Sequence, residues 1–194
     1  MLSRLSRINR VVLSIGHQKG KDTGAVNKLT GETENDQCTA IVVKTQQLLK
    51  LNGIPTLVLP DVSLAETCNL INARCNAYTD IAIEIHKDST DGEFNPSMIR
   101  RMGVYGHPEA SQSMQIARLI KDSFIASGAE PKTTWARIDT DRGFTLAFVR
   151  RPKCLSFVLE AGFMQGDNSE AEQWFYAQAI AKAMCDIMER RFKT

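Results

Sequence analysis

Short apolar runs along the chain alternate with longer stretches in which apolar residues return every third or fourth position. The first run, 11–15, is VVLSI; it is β-branched or leucine apart from Ser14 and reads as a short buried strand. It leads directly into Gly16, His17 and a polar loop over 18–33 that holds Gly20 and Gly24. Cys38, Ile41, Val42, Thr45, Leu48 and Leu49 then share one helical face. That helix is expected to begin near Asn35 or Asp36 and to end at Gly53. A second strand covers 54–59 and stops at Pro60. Ser63 and Glu66 have the spacing of a capping box, with Leu64, Cys68, Ile71 and Cys75 on one face of the helix that follows. The clearest strand is 80–86, DIAIEIH, with Ile81, Ile83 and Ile85 on one side and Ala82, Glu84 and His86 on the other.

Beyond a polar, irregular stretch at 90–101, a strand is expected over 102–106. Ser113, Ile116, Ala117, Ile120, Phe124 and Ser127 stripe a long helix closed by Gly128. A second loop follows over 129–143, then a strand over 144–149. The run CLSFVL, 154–159, is a strand that delivers Glu160 at its end, and Gly162 breaks the chain next. Ser169 and Glu172 form another capping box, opening a helix to about residue 191 with Ala177, Ile180, Met184, Ile187 and Met188 inward. Strands alternating with helices predict an α/β fold, a mainly parallel sheet covered on both faces. No repeat, linker or low-complexity tail divides the chain, so one domain over 1–194 with its core at about 10–192, and nothing appended, is expected.

Composition narrows the class. The 194 residues suffice for one sizeable core, and 43% hydrophobic with 24% charged residues excludes disordered and collagen-like chains. A net charge of +2 and the lack of a basic, aromatic face argue against a nucleic-acid partner. The basic residues near the ends, Arg4, Arg7, Arg10, Arg190, Arg191 and Lys193, read as solvated termini. There are five cysteines, an odd number without a CxxC pair; four fall on expected core faces, and they read as buried free thiols of a reducing compartment. The five-residue apolar run before Gly16 is too short for a secretory signal, and no segment approaches the roughly 18 apolar residues of a membrane span. A cytoplasmic protein is therefore expected.

The candidate chemistry gathers at strand ends. His17 and His86 each stand at the carboxyl end of an expected strand, the edge where open α/β sheets bind ligands, whereas His107 lies in a loop beside Pro108. Two imidazoles at equivalent strand ends suit a metal. A catalytic zinc site takes three protein ligands and leaves a position for water. With the cysteines assigned to the core, the third donor is a carboxylate. Glu32, Glu34 and Asp36 all sit at the start of the first helix, where acidic residues also serve the helix dipole, and spacing does not choose among them. Glu160 suits a general base beside a metal-activated water, or else a cap or salt-bridge carboxylate. Glu84 shares the face of His86 and either orients it or pairs with a lysine. There is no GxSxG elbow, no P-loop and no dinucleotide fingerprint.

Four segments together point to a family. IGHQKGKDTGA, with His17, resembles a GHGG-dPGA opening; ENDQCTAIVVKTQQLLKLNGI, with Glu34, resembles a glutamate-led first helix. DIAIEIHKDS, with His86, resembles a D-fISIHaNa strand; CLSFVLEAGFMQGDNSEAE, with Glu160, resembles P-vLvE-GFisN-eE. In this order, from 11 to about 188, they make the chain similar to the zinc-dependent N-acetylmuramoyl-L-alanine amidases of bacterial cell-wall hydrolysis and phage lysis. The resemblance implies one zinc ion held by His17, Glu34 and His86, with Glu160 as catalytic acid/base; it is this comparison that selects Glu34. It also implies a twisted six-stranded sheet with helices on both faces, and peptidoglycan as substrate.

The chain departs from the pattern at Gln18 and Lys19, at Glu84 where serine is common, at Asp88 where asparagine is frequent, and at Gly166 and Asp167. These positions bear on the peptide cleft, and Glu84 and Asp88 are the candidates for substrate contact. The expected reaction is cleavage of the amide between N-acetylmuramic acid and L-alanine of the stem peptide. The expected setting is a phage or prophage endolysin, held in the cytoplasm of the host bacterium until lysis. A bacterial autolysin, a zinc peptidase acting within the stem peptide, and a wall-binding module without turnover are the alternatives.

Overall fold

The computed structural model describes residues 7–90, 99–109, 111–143 and 145–190. Four strands run parallel: β1 (Arg10–Ile15), β2 (Thr56–Val58), β3 (Asp80–Asp88) and β6 (Leu155–Phe163). Two more, β4 (Met102–Gly106) and β5 (Trp135–Ile138), are parallel to each other, and β4 is antiparallel to β6. The six make one sheet in the order β2-β1-β3-β6-β4-β5. The helices are α1 (Glu34–Leu51), α2 (Leu64–Arg74), α3 (Ser111–Ala126), α4 (Ala147–Arg150) and α5 (Glu170–Met188).

Alternation along the central strands divides the core into two layers. Val11, Leu13, Ile81, Ile83 and Ile85 are fully buried on the face covered by α1, α3 and α5, where Ile41, Phe124 and Ile180 meet them. Val12, Ala82 and Val158 point the other way, against Ile71 of α2 and Phe148 of α4. Chains buried on both faces explain why the strands read as near-continuous apolar runs. Among the described residues no helix is long and apolar enough to cross a membrane.

Helix starts follow their caps. Ser63 and Ser169 accept hydrogen bonds from Glu66 N and Glu172 N, at 3.3 and 3.4 Å, as their spacing predicts. The first helix differs from expectation: Thr33 is its cap, accepting from Asp36 N at 3.1 Å, so Asn35 and Asp36 lie inside the helix and Glu34 is its first residue.

The other differences have local causes. The strand expected over 144–149 is not the sixth strand; 147–150 is one helical turn, and Phe144 lies outside the described residues. The fully buried Asp139 carboxylate accepts from Leu146 N at 3.2 Å and from Arg150 Nε and Nη2 at 2.6 and 3.0 Å, which folds that segment back as a turn. The sixth strand is instead β5, inside the expected loop 129–143. Arg10 is no solvated terminus: its Nε donates to the buried Asp80 at 3.1 Å and its Nη2 to Arg74 O at 2.8 Å. Arg4, Arg191 and Lys193 lie outside the described residues. All five thiols are free, but only Cys38, Cys68 and Cys154 are fully buried; Cys75 and Cys185 are half-buried. Leu64, expected inward, is 43% exposed at the mouth of a cleft.

A candidate metal centre beside a cleft

The site is assembled at the carboxyl ends of β1 and β3. Gly16 extends the β1 ladder, its N–H donating to Ile85 O at 2.8 Å. A Cβ there would lie 2.6 Å from Ile85 O and 2.7 Å from His86 Nδ1, so only glycine lets the imidazole of His86 pack against this strand end. His17 follows with φ 66, a left-handed conformation that costs a non-glycine residue of order 1–3 kcal/mol and clusters at functional sites. The turn then closes through Gln18 N to Asp22 O, 2.6 Å, and Asp22 N to Gln18 O, 2.9 Å.

Glu34 is the hub. It is 5% exposed, and its carboxylate accepts from Ala25 N and Lys87 N, each at 3.1 Å. Its Oε2 is 3.1 Å from His17 Nε2 and its Oε1 is 3.0 Å from His86 Nδ1. Burial pushes the Glu34 carboxyl up, but its hydrogen bonds to His17 and His86 outweigh this and hold it far below the usual range. The hydrogen bond to Glu34 raises the His17 pKa against the lowering by burial. Burial likewise pulls His86 down, and hydrogen bonds to Glu34 and Glu84 overcome it, leaving the ring well above an ordinary histidine.

Three donor atoms, one each from His17, Glu34 and His86, lie within 4.8 Å of one another, close enough to share one metal ion. Gly24, at φ +68, keeps that space open: a Cβ on it would come within 2.6 Å of Glu34 Oε2 and 2.7 Å of His17 Nε2. Two imidazoles and a carboxylate are a donor set that metals of hydrolytic enzymes accept. The geometry therefore separates the three acidic candidates. Asp36 is taken up by Lys19 Nζ at 3.2 Å and Thr33 Oγ1 at 2.7 Å, and Glu32 by Thr30 Oγ1 at 3.1 Å.

The family model of the N-acetylmuramoyl-L-alanine amidases matches residues 11–190. The chain belongs to that family. As a peptidoglycan amidase it is a hydrolase. Solved structures share its fold at low identity. An N-acetylmuramoyl-L-alanine amidase from Clostridium difficile 630 superposes with a TM-score of 0.78 at 18% identity, covering 96% of this chain and 100% of that one. One from Nostoc punctiforme gives 0.74 at 22%, covering 93% and 97%. The catalytic domain of an endolysin targeting Clostridia difficile gives 0.66 at 15%, covering 91% and 97%. Comparison with curated proteins returns no significant match.

In the amidase, Glu160 is buried at 5% exposure and stands opposite His86 in the β3–β6 register, so both side chains rise from the same face of the sheet edge. The register slips just beyond, pairing Asp88 with Phe163, and Gly162 takes φ +78 there. Asp88 lies 3.6 Å from Arg101 in an ion pair. His107 is not part of the site: it follows β4, which runs antiparallel to β6 and so ends at the other edge of the sheet. There its Nδ1 accepts from Glu109 N at 3.1 Å.

A cleft of about 250 Å³ opens beside the two histidines, walled by Glu84, Leu64, Leu146 and Phe148. Asp22 also lines it, 3.1 Å from His17 Nδ1. Sequence reasoning did not single out this residue: an aspartate in a polar loop carries no periodic signal, and the one signal it had was its place at the acidic position of the GHGG-dPGA pattern.

Proposed function

We propose that the chain is a zinc-dependent amidase that cuts the amide between N-acetylmuramic acid and L-alanine of the stem peptide. The observation that carries this reading is the convergence of His17, Glu34 and His86 on one point in a member of the amidase family. In this reading the three side chains hold one zinc ion through imidazole and carboxylate donors. Zinc, when bound, supplies Lewis-acid chemistry, polarising the scissile carbonyl and acidifying a water.

The remaining work falls to the chain. Glu160, at the same sheet edge as His86, takes the proton of the attacking water as its oxygen adds to the carbonyl carbon. As the carbon–nitrogen bond breaks, Glu160 returns that proton to the leaving amine of L-alanine. Leu64, Leu146 and Phe148 give the cleft an apolar side against which a peptide can lie. Asp88, two residues beyond His86 on β3 and paired with Arg101, is the candidate for polar contact with the stem.

Mass spectrometry of purified peptidoglycan treated with the zinc-loaded protein tests this directly. Intact stem peptides with free L-alanine amines, and uncut glycan chains, are expected. Fragments cut within the stem would replace the amidase by a peptidase, and zinc-bound protein that retains wall material without new amine ends would replace it by a binding module. A phage or prophage setting is the finer reading, supported by the likeness to an endolysin catalytic domain. Transcription of the gene only on phage induction is expected; steady expression during growth would move it to the bacterial autolysins.

A further inference from the structure

Both imidazoles that face Glu34 also have a carboxylate on the far ring nitrogen. Asp22 Oδ1 is 3.1 Å from His17 Nδ1, and Glu84 Oε2 is 3.2 Å from His86 Nε2. The two carboxylates differ in their surroundings. The side chain of Asp22 is 73% exposed and that of Glu84 is 7% exposed. Glu84 belongs to the central strand β3, two residues before His86 and on the same face, with Ser14 and Val158 beside it in register on the neighbouring strands. Its only ion pair among the described residues is with His86, not with a lysine. A carboxylate buried in the middle of a parallel sheet is costly to desolvate, and the hydrolysis derived above gives it no task.

We propose that Glu84 is a positioning residue for the metal centre: it accepts a hydrogen bond from the Nε2–H of His86 and so turns the Nδ1 lone pair toward the point shared with His17 and Glu34. The inference rests on the reading of His17, Glu34 and His86 as metal ligands. A neutral imidazole carries one N–H. With that proton on Nδ1, His86 can donate to Glu34 but cannot bind a metal through the same atom. With it on Nε2, an acceptor on the cleft side is needed, and Glu84 stands there on a rigid element. A carboxylate on the far nitrogen fixes both the tautomer and the ring angle, and it increases the basicity of the ligand atom. Gly16 closes the opposite side of the ring, so His86 is held between a strand end and Glu84.

The test measures zinc affinity of the purified metal-free protein by competition with a chromophoric chelator, for the wild type, Glu84→Ala and Glu84→Gln. Glu84→Ala is expected to bind zinc roughly 10- to 100-fold more weakly. Glu84→Gln, whose amide oxygen still accepts the Nε2 proton, is expected to recover part of that loss. Heteronuclear NMR of the zinc-loaded wild type supplies a readout that a purely structural role would not move: the His86 ring should carry its proton on Nε2. Equal affinity of Glu84→Ala and wild type, or a His86 ring bound through Nε2, would overturn the assignment. Wild-type protein that takes up no zinc would remove the ligand reading itself and this assignment with it, a result distinct from equal affinities.

Discussion

Alanine at position 16 would test whether the end of β1 makes room for the metal centre. Gly16 does not have a positive φ, so its backbone admits an L-residue and the whole effect comes from contact. The added Cβ would lie 2.6 Å from Ile85 O, 2.7 Å from His86 Nδ1 and 2.8 Å from His86 Cε1. Ile85 O is held in the β1–β3 ladder, so its contact forces a shift of the strand end, and the imidazole must yield as well. To regain a normal contact of about 3.5 Å it must retreat by roughly 0.8 Å, and the atom displaced is the one that faces Glu34. Functional constellations tolerate about 0.5 Å before they loosen. Gly16→Ala should therefore weaken zinc binding at least about tenfold, and the forced contact should cost roughly 1–3 kcal/mol of stability. Gly20→Ala is the control. At φ +75, with nothing within 4 Å of its added Cβ, it meets only the left-handed backbone penalty of about 1–2 kcal/mol and should leave zinc affinity unchanged. Chelator competition reads the first quantity and guanidinium unfolding of the metal-free proteins the second. If Gly16→Ala bound zinc like the wild type and lost no stability, the packing argument for this strand end would be wrong.

Three other outcomes follow from the same geometry. Glu160→Ala should keep stoichiometric zinc while losing about 10²–10⁴-fold in turnover on peptidoglycan, and full turnover with zinc bound would remove Glu160 from the chemistry. His17→Ala and His86→Ala should each lose the metal itself, as read by elemental analysis of the purified protein; stoichiometric zinc in either would show that the ligand set is wrong. The third concerns the turn at Asp139. Burial raises the Asp139 carboxyl, but hydrogen bonds from Arg150 and Leu146 N outweigh it and hold the group below the usual carboxylate range. A pKa lowered by folding adds stability above the unfolded value of about 3.9, and that stability is lost as pH falls through the folded value. Asp139→Asn should thus be less stable than the wild type at pH 7, with the gap shrinking at acid pH; a gap that stayed constant to pH 2 would contradict the assignment.

Much of this architecture is determined by local pattern. The alternation in 80–86 sets Ile81, Ile83 and Ile85 against Ala82, Glu84 and His86 whatever surrounds the strand, because the side-chain period of two is a property of the backbone. The same kind of argument located β1, β6 and the core faces of α1 and α5, and it placed His17 just past β1; the structure carries β3 two residues beyond His86 and β6 three beyond Glu160, so those two strands run on past the ends expected for them. The family resemblance, read from four short segments, added Glu34. Tertiary structure decided the rest. Glu32, Glu34 and Asp36 are equivalent as acidic residues at a helix start, and what distinguishes Glu34 is contact with His86, 52 positions away, and with Lys87 N, 53 away. The same holds for 129–149, where short polar and apolar stretches carry no clear period. The buried Asp139 folds 147–150 into a turn and leaves 135–138 to pair with β4. Asp22 meets His17 across the turn that the paired Gln18 and Asp22 backbones close. Periodicity is local and survives in the sequence, whereas the partner of a buried carboxylate is set by which distant backbone and ring atoms the fold brings to it.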